Sequence, residues 1–154
     1  MGDNLDLPDR NGVRTPMQWD ASPNAGFTTG KPFTELVKGE RSYQHINVAS
    51  QIVDKDSLFH AISRMVNIRK QHHTFGRGSM EWVITENPAL AVYTRKYQDE
   101  TLLIINNLSG SPQTTSLPVE HHAPYIDLIS NTEQHIDSTL TLQPYAYLWL
   151  KLMR

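Results

Sequence analysis

The chain has 154 residues, with 14 Lys and Arg, 16 Asp and Glu, and no cysteine. The missing thiols exclude disulfides, thiolate metal sites and cysteine nucleophiles. A net charge of −2 gives no electrostatic basis for partnership with nucleic acid or an anionic membrane. No apolar run approaches the roughly 18 residues of a membrane span, and no charged-then-apolar leader opens the sequence, so a soluble, cytoplasmic protein is expected.

The two halves differ in texture and charge. Residues 1–77 hold ten basic and eight acidic groups, whereas residues 78–154 hold four and eight. Residues 1–53 contain four prolines and five glycines and show no sustained periodicity of 3.6 or 2.0. Irregular chain of that length is uncommon in a compact domain unless it is functional or packs on something else. Within it, Asp9 to Asp20 gathers Arg10, Arg14, Trp19 and the amides of Asn11 and Gln18 into a run that Gly12 and Pro16 bar from any regular element. Arginine supplies planar donors, and tryptophan an apolar face with a polar edge. Sugar rings, with apolar CH faces and hydroxyl rims, ask for that combination. An arginine-pinned loop against a scaffold explains the same residues equally well.

Residues 54–73 predict a helix, since Leu58, Ile62, Met65, Val66 and the stem of Arg69 recur along a single stripe. Asp54 or Asp56 would cap its first turn, Arg69, Lys70 and His72 sit at its negative end, and Gly76 and Gly78 would stop it. The stripe calls for a covering partner. Strand patterns follow over 80–84, 90–95, 101–108, 113–117, 125–130, 138–142 and 145–152, separated by turn signals such as Glu86-Asn87-Pro88 and Ser109-Gly110-Ser111-Pro112. Short strands at this spacing predict an antiparallel β-sandwich. The fold class is therefore mainly β with one long helix.

Metal and cofactor chemistry find no support. His72-His73 and His121-His122 are adjacent pairs, whose side chains diverge on a helix or a strand. There is no phosphate-binding glycine loop and no G-x-S-x-G nucleophile motif. Neither a metal nor a cofactor is expected.

The run DRNGVRTPMQWDASPNAGFT, with Ile46-Asn47-Val48, Asn67 to Lys70 and Phe75-Gly76-Arg77-Gly78 downstream, resembles the α-amylase-type glycoside hydrolase superfamily. Within that superfamily it is most similar to the trehalose synthases, which isomerise maltose and trehalose, and next to the oligo-1,6-glucosidases and α-glucosidases. Asp9-Arg10-Asn11-Gly12-Val13-Arg14 leans to the first group and Asp20-Ala21-Ser22-Pro23-Asn24 to the second. The resemblance implies that residues 1–77 are the last loop and terminal helix of an incomplete (β/α)8 barrel, and that 78–154 are the β-sandwich domain that follows it. It also implies that the catalytic carboxylates lie upstream, so that no catalytic residue is expected here. Arg10 would contact the sugar in the innermost subsite, while Asp9, Arg14 and Trp19 would anchor the loop. The implied partner is a small saccharide such as maltose, trehalose or an α-glucoside, bound only in the context of the barrel. Self-association through the uncovered helix face is a further expectation. A competing reading is a carbohydrate-binding β module that uses Trp82, Tyr145, Tyr147 and Trp149.

Overall fold

A computed structural model describes residues 14–153, which divide into two compact units meeting between Ser63 and Arg64. The first unit is a long, ordered loop followed by helix α1 (Val48–Val53) and the opening turns of helix α2 (Leu58–Gln71). Two 3-10 turns, at Pro23–Gly26 and Gly39–Arg41, punctuate the loop. Asn47 starts α1: its Oδ1 accepts from the Ser50 N–H at 2.8 Å, and its Nδ2 donates to the Tyr43 carbonyl at 2.8 Å. Replacing Asn47 by Ala removes both bonds and is expected to cost about 1–2 kcal/mol, read as a shift in the urea midpoint of the first unit.

The predicted 54–73 helix is shorter than its periodicity suggested, and polar side chains set its start. Asp54 ends α1, donating its N–H to the Ser50 carbonyl, and its carboxylate accepts from the Asp56 N–H to build a turn. Ser57 then caps α2, its hydroxyl facing the His60 N–H at 3.4 Å and donating to the Gln51 carbonyl at 2.7 Å. At the other end α2 stops at Gln71, and Thr74–Arg77 forms a separate turn of helix, α3. Among the described residues no helix is long and apolar enough to cross a membrane.

The second unit is an antiparallel sandwich. Its larger sheet holds six strands in the order β1 (Ser79–Trp82), β2 (Leu90–Tyr97), β3 (Glu100–Asn107), β8 (Tyr147–Leu152), β5 (Pro124–Asp127) and β6 (Thr132–His135). The smaller sheet pairs β4 (Gln113–Ser116) with β7 (Thr139–Leu142). Strand β6 has no counterpart in the sequence reading: it is a fully exposed edge made of Thr, Glu, Gln and His, so no apolar alternation announces it. The core lies between the sheets, where Leu90, Val92, Leu103, Ile105, Tyr125 and Leu150 meet Leu117, Ile136 and Leu142. Strand β3 is buried on both faces, since Leu102 and Ile104, on the side away from that core, are also fully covered. On that outer side Trp149 sits opposite Ile104, and its ring packs on Phe75 of α3 with centroids 4.6 Å apart.

Candidate functional site

The loop that carries the arginine and tryptophan motif is held by its polar residues. Gln18 does most: its Nε2 donates to the carbonyls of Ile46 (2.6 Å) and Arg41 (3.2 Å), and its own carbonyl accepts from the Val48 N–H at 2.9 Å. The Trp19 carbonyl accepts from the Ala49 N–H at 2.9 Å. The backbone of Gln18-Trp19 thereby satisfies orphan N–H groups in the first turn of α1. This brings the Met17-Gln18-Trp19 and Ile46-Asn47-Val48 parts of the motif together, joining residues 28 positions apart in the chain. The Gln18 Oε1 is buried and has no partner among the described residues, which leaves an acceptor facing the loop interior.

The Asp20 to Phe27 segment folds on itself. Asp20 Oδ1 accepts from the Ser22 hydroxyl (2.5 Å) and the Ser22 N–H (2.8 Å). Those two bonds hold the carboxyl below the usual aspartate range, against a weak opposing effect of burial. Asn24 and Ala25 both adopt left-handed backbone, with φ of 57° and 60°. Asn24 tolerates this because its Nδ2 donates to the Thr28 and Gly30 carbonyls at 3.1 and 2.9 Å. Gly26, at φ 65°, is obligatory, since a Cβ there would lie 2.6 Å from the Asp20 carboxylate. The Asn-Ala-Gly run is thus a loop-building device.

Of the residues singled out in the sequence, Arg10 and Asp9 lie outside the described residues. Arg14 is exposed, and Trp19 is half-exposed, tied into the loop by its backbone N–H to Ala25 at 2.8 Å and by its carbonyl. Gln18 was noted only as one of the amides of the motif run, and Asn24 and Asn47 were not singled out, although each is a side-chain amide inside a motif segment next to Gly26 or the start of α1. The three do not converge with a second pair of titratable groups. The described part of the loop is held by its own polar side chains and contains no acid–base pair.

A second polar cluster lies in the β unit. Glu100 opens β3 and accepts from the Thr74 hydroxyl at 2.5 Å, while its other oxygen meets His72 Nδ1 at 2.6 Å and Lys151 Nζ at 3.4 Å. Burial pushes the carboxyl up, but Thr74, His72 and Lys151 together outweigh it and hold Glu100 below the usual glutamate range. Of the aromatic residues expected of a binding module, Trp149 is committed to Phe75, whereas Trp82 and Tyr145 stand about two-thirds exposed.

The α-amylase catalytic-domain family matches residues 2–78, and the maltogenic amylase C-terminal-domain family matches residues 80–149. Among curated relatives, the chain is 35% identical to a trehalose synthase of Pimelobacter sp. over 99% of its own length and 29% of the relative's. It is 33% identical to an oligo-1,6-glucosidase of Bacillus cereus over 93% of its length and 26% of the relative's. The solved structure of trehalulose synthase MutB from Pseudomonas mesoacidophila MX-45 superposes with a TM-score of 0.81 at 32% identity, covering 97% of this chain and 27% of that one. The chain therefore spans less than a third of the length of each of these relatives.

Proposed function

The chain belongs to the α-amylase family, and from that premise we propose that it is the C-terminal part of a retaining glucosyl-transferring enzyme acting on small α-glucosides, with trehalose synthase-type isomerisation of maltose and trehalose as its reaction. Its residues contribute a substrate-side loop and a supporting β domain. The observation that carries this reading is the partial match: the catalytic-domain family ends at residue 78, and the chain covers only 26–29% of its curated relatives. Retaining glycosidases place two carboxyl groups about 5–5.5 Å apart across the scissile bond. The motif loop offers Asp20, whose Oδ1 is taken up by Ser22, and no second carboxylate beside it among the described residues.

In this reading residues 1–77 are the barrel's closing loop and terminal helix, and residues 78–154 the β domain. Arg10 reaches the sugar of the innermost subsite, and Asp9, Arg14 and Trp19 steady the loop around it. The exposed side chains of Leu58, Phe59, Ile62 and Val66 on α2 form the stripe that the rest of the barrel covers. Left uncovered, it would drive association between copies of the chain.

The purified chain is expected to show no turnover of maltose, trehalose or a nitrophenyl α-glucoside, because attack on the anomeric carbon requires both carboxyl groups. Turnover above background by the chain alone would overturn the reading. A hydrolytic alternative rests on the likeness to the Bacillus cereus oligo-1,6-glucosidase. Supplying an upstream barrel and feeding maltose separates the two: trehalose as product supports isomerisation, and glucose alone supports hydrolysis.

A further inference from the structure

We propose that the β unit carries a binding site for a neutral saccharide in the cleft between the β2–β3 turn and the end of β8. The cleft has a volume of about 540 Å³ and is formed wholly by residues 71–153, within the range of small-molecule sites. The β2–β3 turn supplies one wall. Tyr97 pairs with Glu100, leaving a two-residue turn of Gln98 and Asp99. Gln98 sits at φ 52°. Such a position ordinarily takes glycine, asparagine or aspartate, and other residues there bear strain. The strain is unnecessary for closing the hairpin, since glycine would close it freely. What glutamine adds is a side-chain amide lining the cleft.

The remaining walls explain the ligand class. Gln71 and His73, from the end of α2 and the residues after it, face the same space, and Ile126 and Leu152 contribute an apolar surface. Glu100 is bonded to His72, Thr74 and Lys151, which matches the lysine of the lining, and Asp99 adds a negative charge on the turn wall. A free anion therefore finds no uncompensated lysine or arginine in the lining. What stays available is a set of polar residues able to donate or accept, Gln71, Gln98, His73 and Tyr97, beside apolar side chains. A ring with an apolar face and a hydroxyl rim matches that lining. The site is independent of which reaction the barrel performs.

The test is a titration of the full chain, ¹⁵N-labelled, with maltose, trehalose and maltotriose, with glucose 6-phosphate as the charged comparison. Saturable shifts centred on residues 71–74, 97–100 and 151–153 are expected with the neutral sugars, and weaker ones with the phosphate. Gln98→Gly should weaken binding roughly fivefold or more, the equivalent of one hydrogen bond, while raising the unfolding midpoint because the turn strain is relieved. A purely structural role for Gln98 would not separate those two readouts. Gln71→Ala, on an exposed helix end, should weaken binding similarly without altering the turn. Absence of saturable shifts, shifts centred elsewhere, tighter binding of the phosphate, or unchanged affinity in both variants would overturn the proposal.

Discussion

Glu100→Ala is expected to destabilise the β unit by about 3 kcal/mol at neutral pH. The figure follows from what the carboxylate holds. Thr74 is only 1% exposed and donates its hydroxyl to Glu100 at 2.5 Å, so truncation strands a buried donor. His72 and Lys151 lose their shared acceptor in the same step. Glu100→Gln keeps one acceptor and should lose about half as much. The effect carries a pH signature of definite sign. The Glu100 carboxyl is held below its ordinary value of 4.5 in the folded state, so its stabilisation is complete above that value and disappears as the pH falls through the depressed one. Urea unfolding of wild type and Glu100→Ala should therefore differ most at pH 7 and converge on acidification below 4.5. A gap that stays constant with pH would show that the carboxylate charge contributes nothing.

How far the sequence revealed the molecule depended on whether a signal was local. The helix stripe of Leu58, Ile62, Met65 and Val66 and the alternation of Tyr147 and Trp149 with Leu148 and Leu150 are periodicities written in nearby residues, and both elements formed. Strand β6 escaped because it buries nothing, and helix α1 because six residues hold too little of a 3.6-residue pattern. The ends of α2 moved for a different reason. Periodicity cannot see that Ser57 caps more effectively than Asp54 once the Asp54 side chain is bonded to Asp56. In the candidate site, the motif was visible as a block, but the work of its parts was not. Arginine and tryptophan draw attention by their chemistry, whereas Gln18 acts through carbonyls at Arg41 and Ile46, and that pairing exists only after the loop has closed. The Glu100 cluster was hidden likewise, joining a histidine after α2 to a glutamate 28 residues on.

The two glycines of Phe75-Gly76-Arg77-Gly78 illustrate the same limit and give the other large effect. The sequence reads both as helix stops. The structure gives them different jobs. Gly76 lies inside α3, with nothing within 4 Å of where its Cβ would stand. Gly78 follows α3 in extended backbone at φ −71° and ψ 153°, so conformational freedom does not explain it. Close approach does: a Cβ there would lie 2.6 Å from the Thr74 carbonyl oxygen and 2.9 Å from that of Lys96. Both obstacles are backbone, and Gly78 cannot move away from them. Its N–H donates to Thr74 at 3.1 Å, its carbonyl accepts from Arg95 Nη2 at 2.8 Å, and the next residue, Ser79, is paired with Lys96. Gly78→Ala should accordingly cost about 3 kcal/mol, the upper end for overpacking, and should loosen β1 from β2. Gly76→Ala should instead be neutral or stabilising by about 0.5 kcal/mol, because it only restricts the unfolded chain. Thermal and urea unfolding of the two variants, with amide exchange at residues 79–82, reads both effects. Equal responses to the two substitutions would mean that the turn into the sheet is not set by the contact at Gly78.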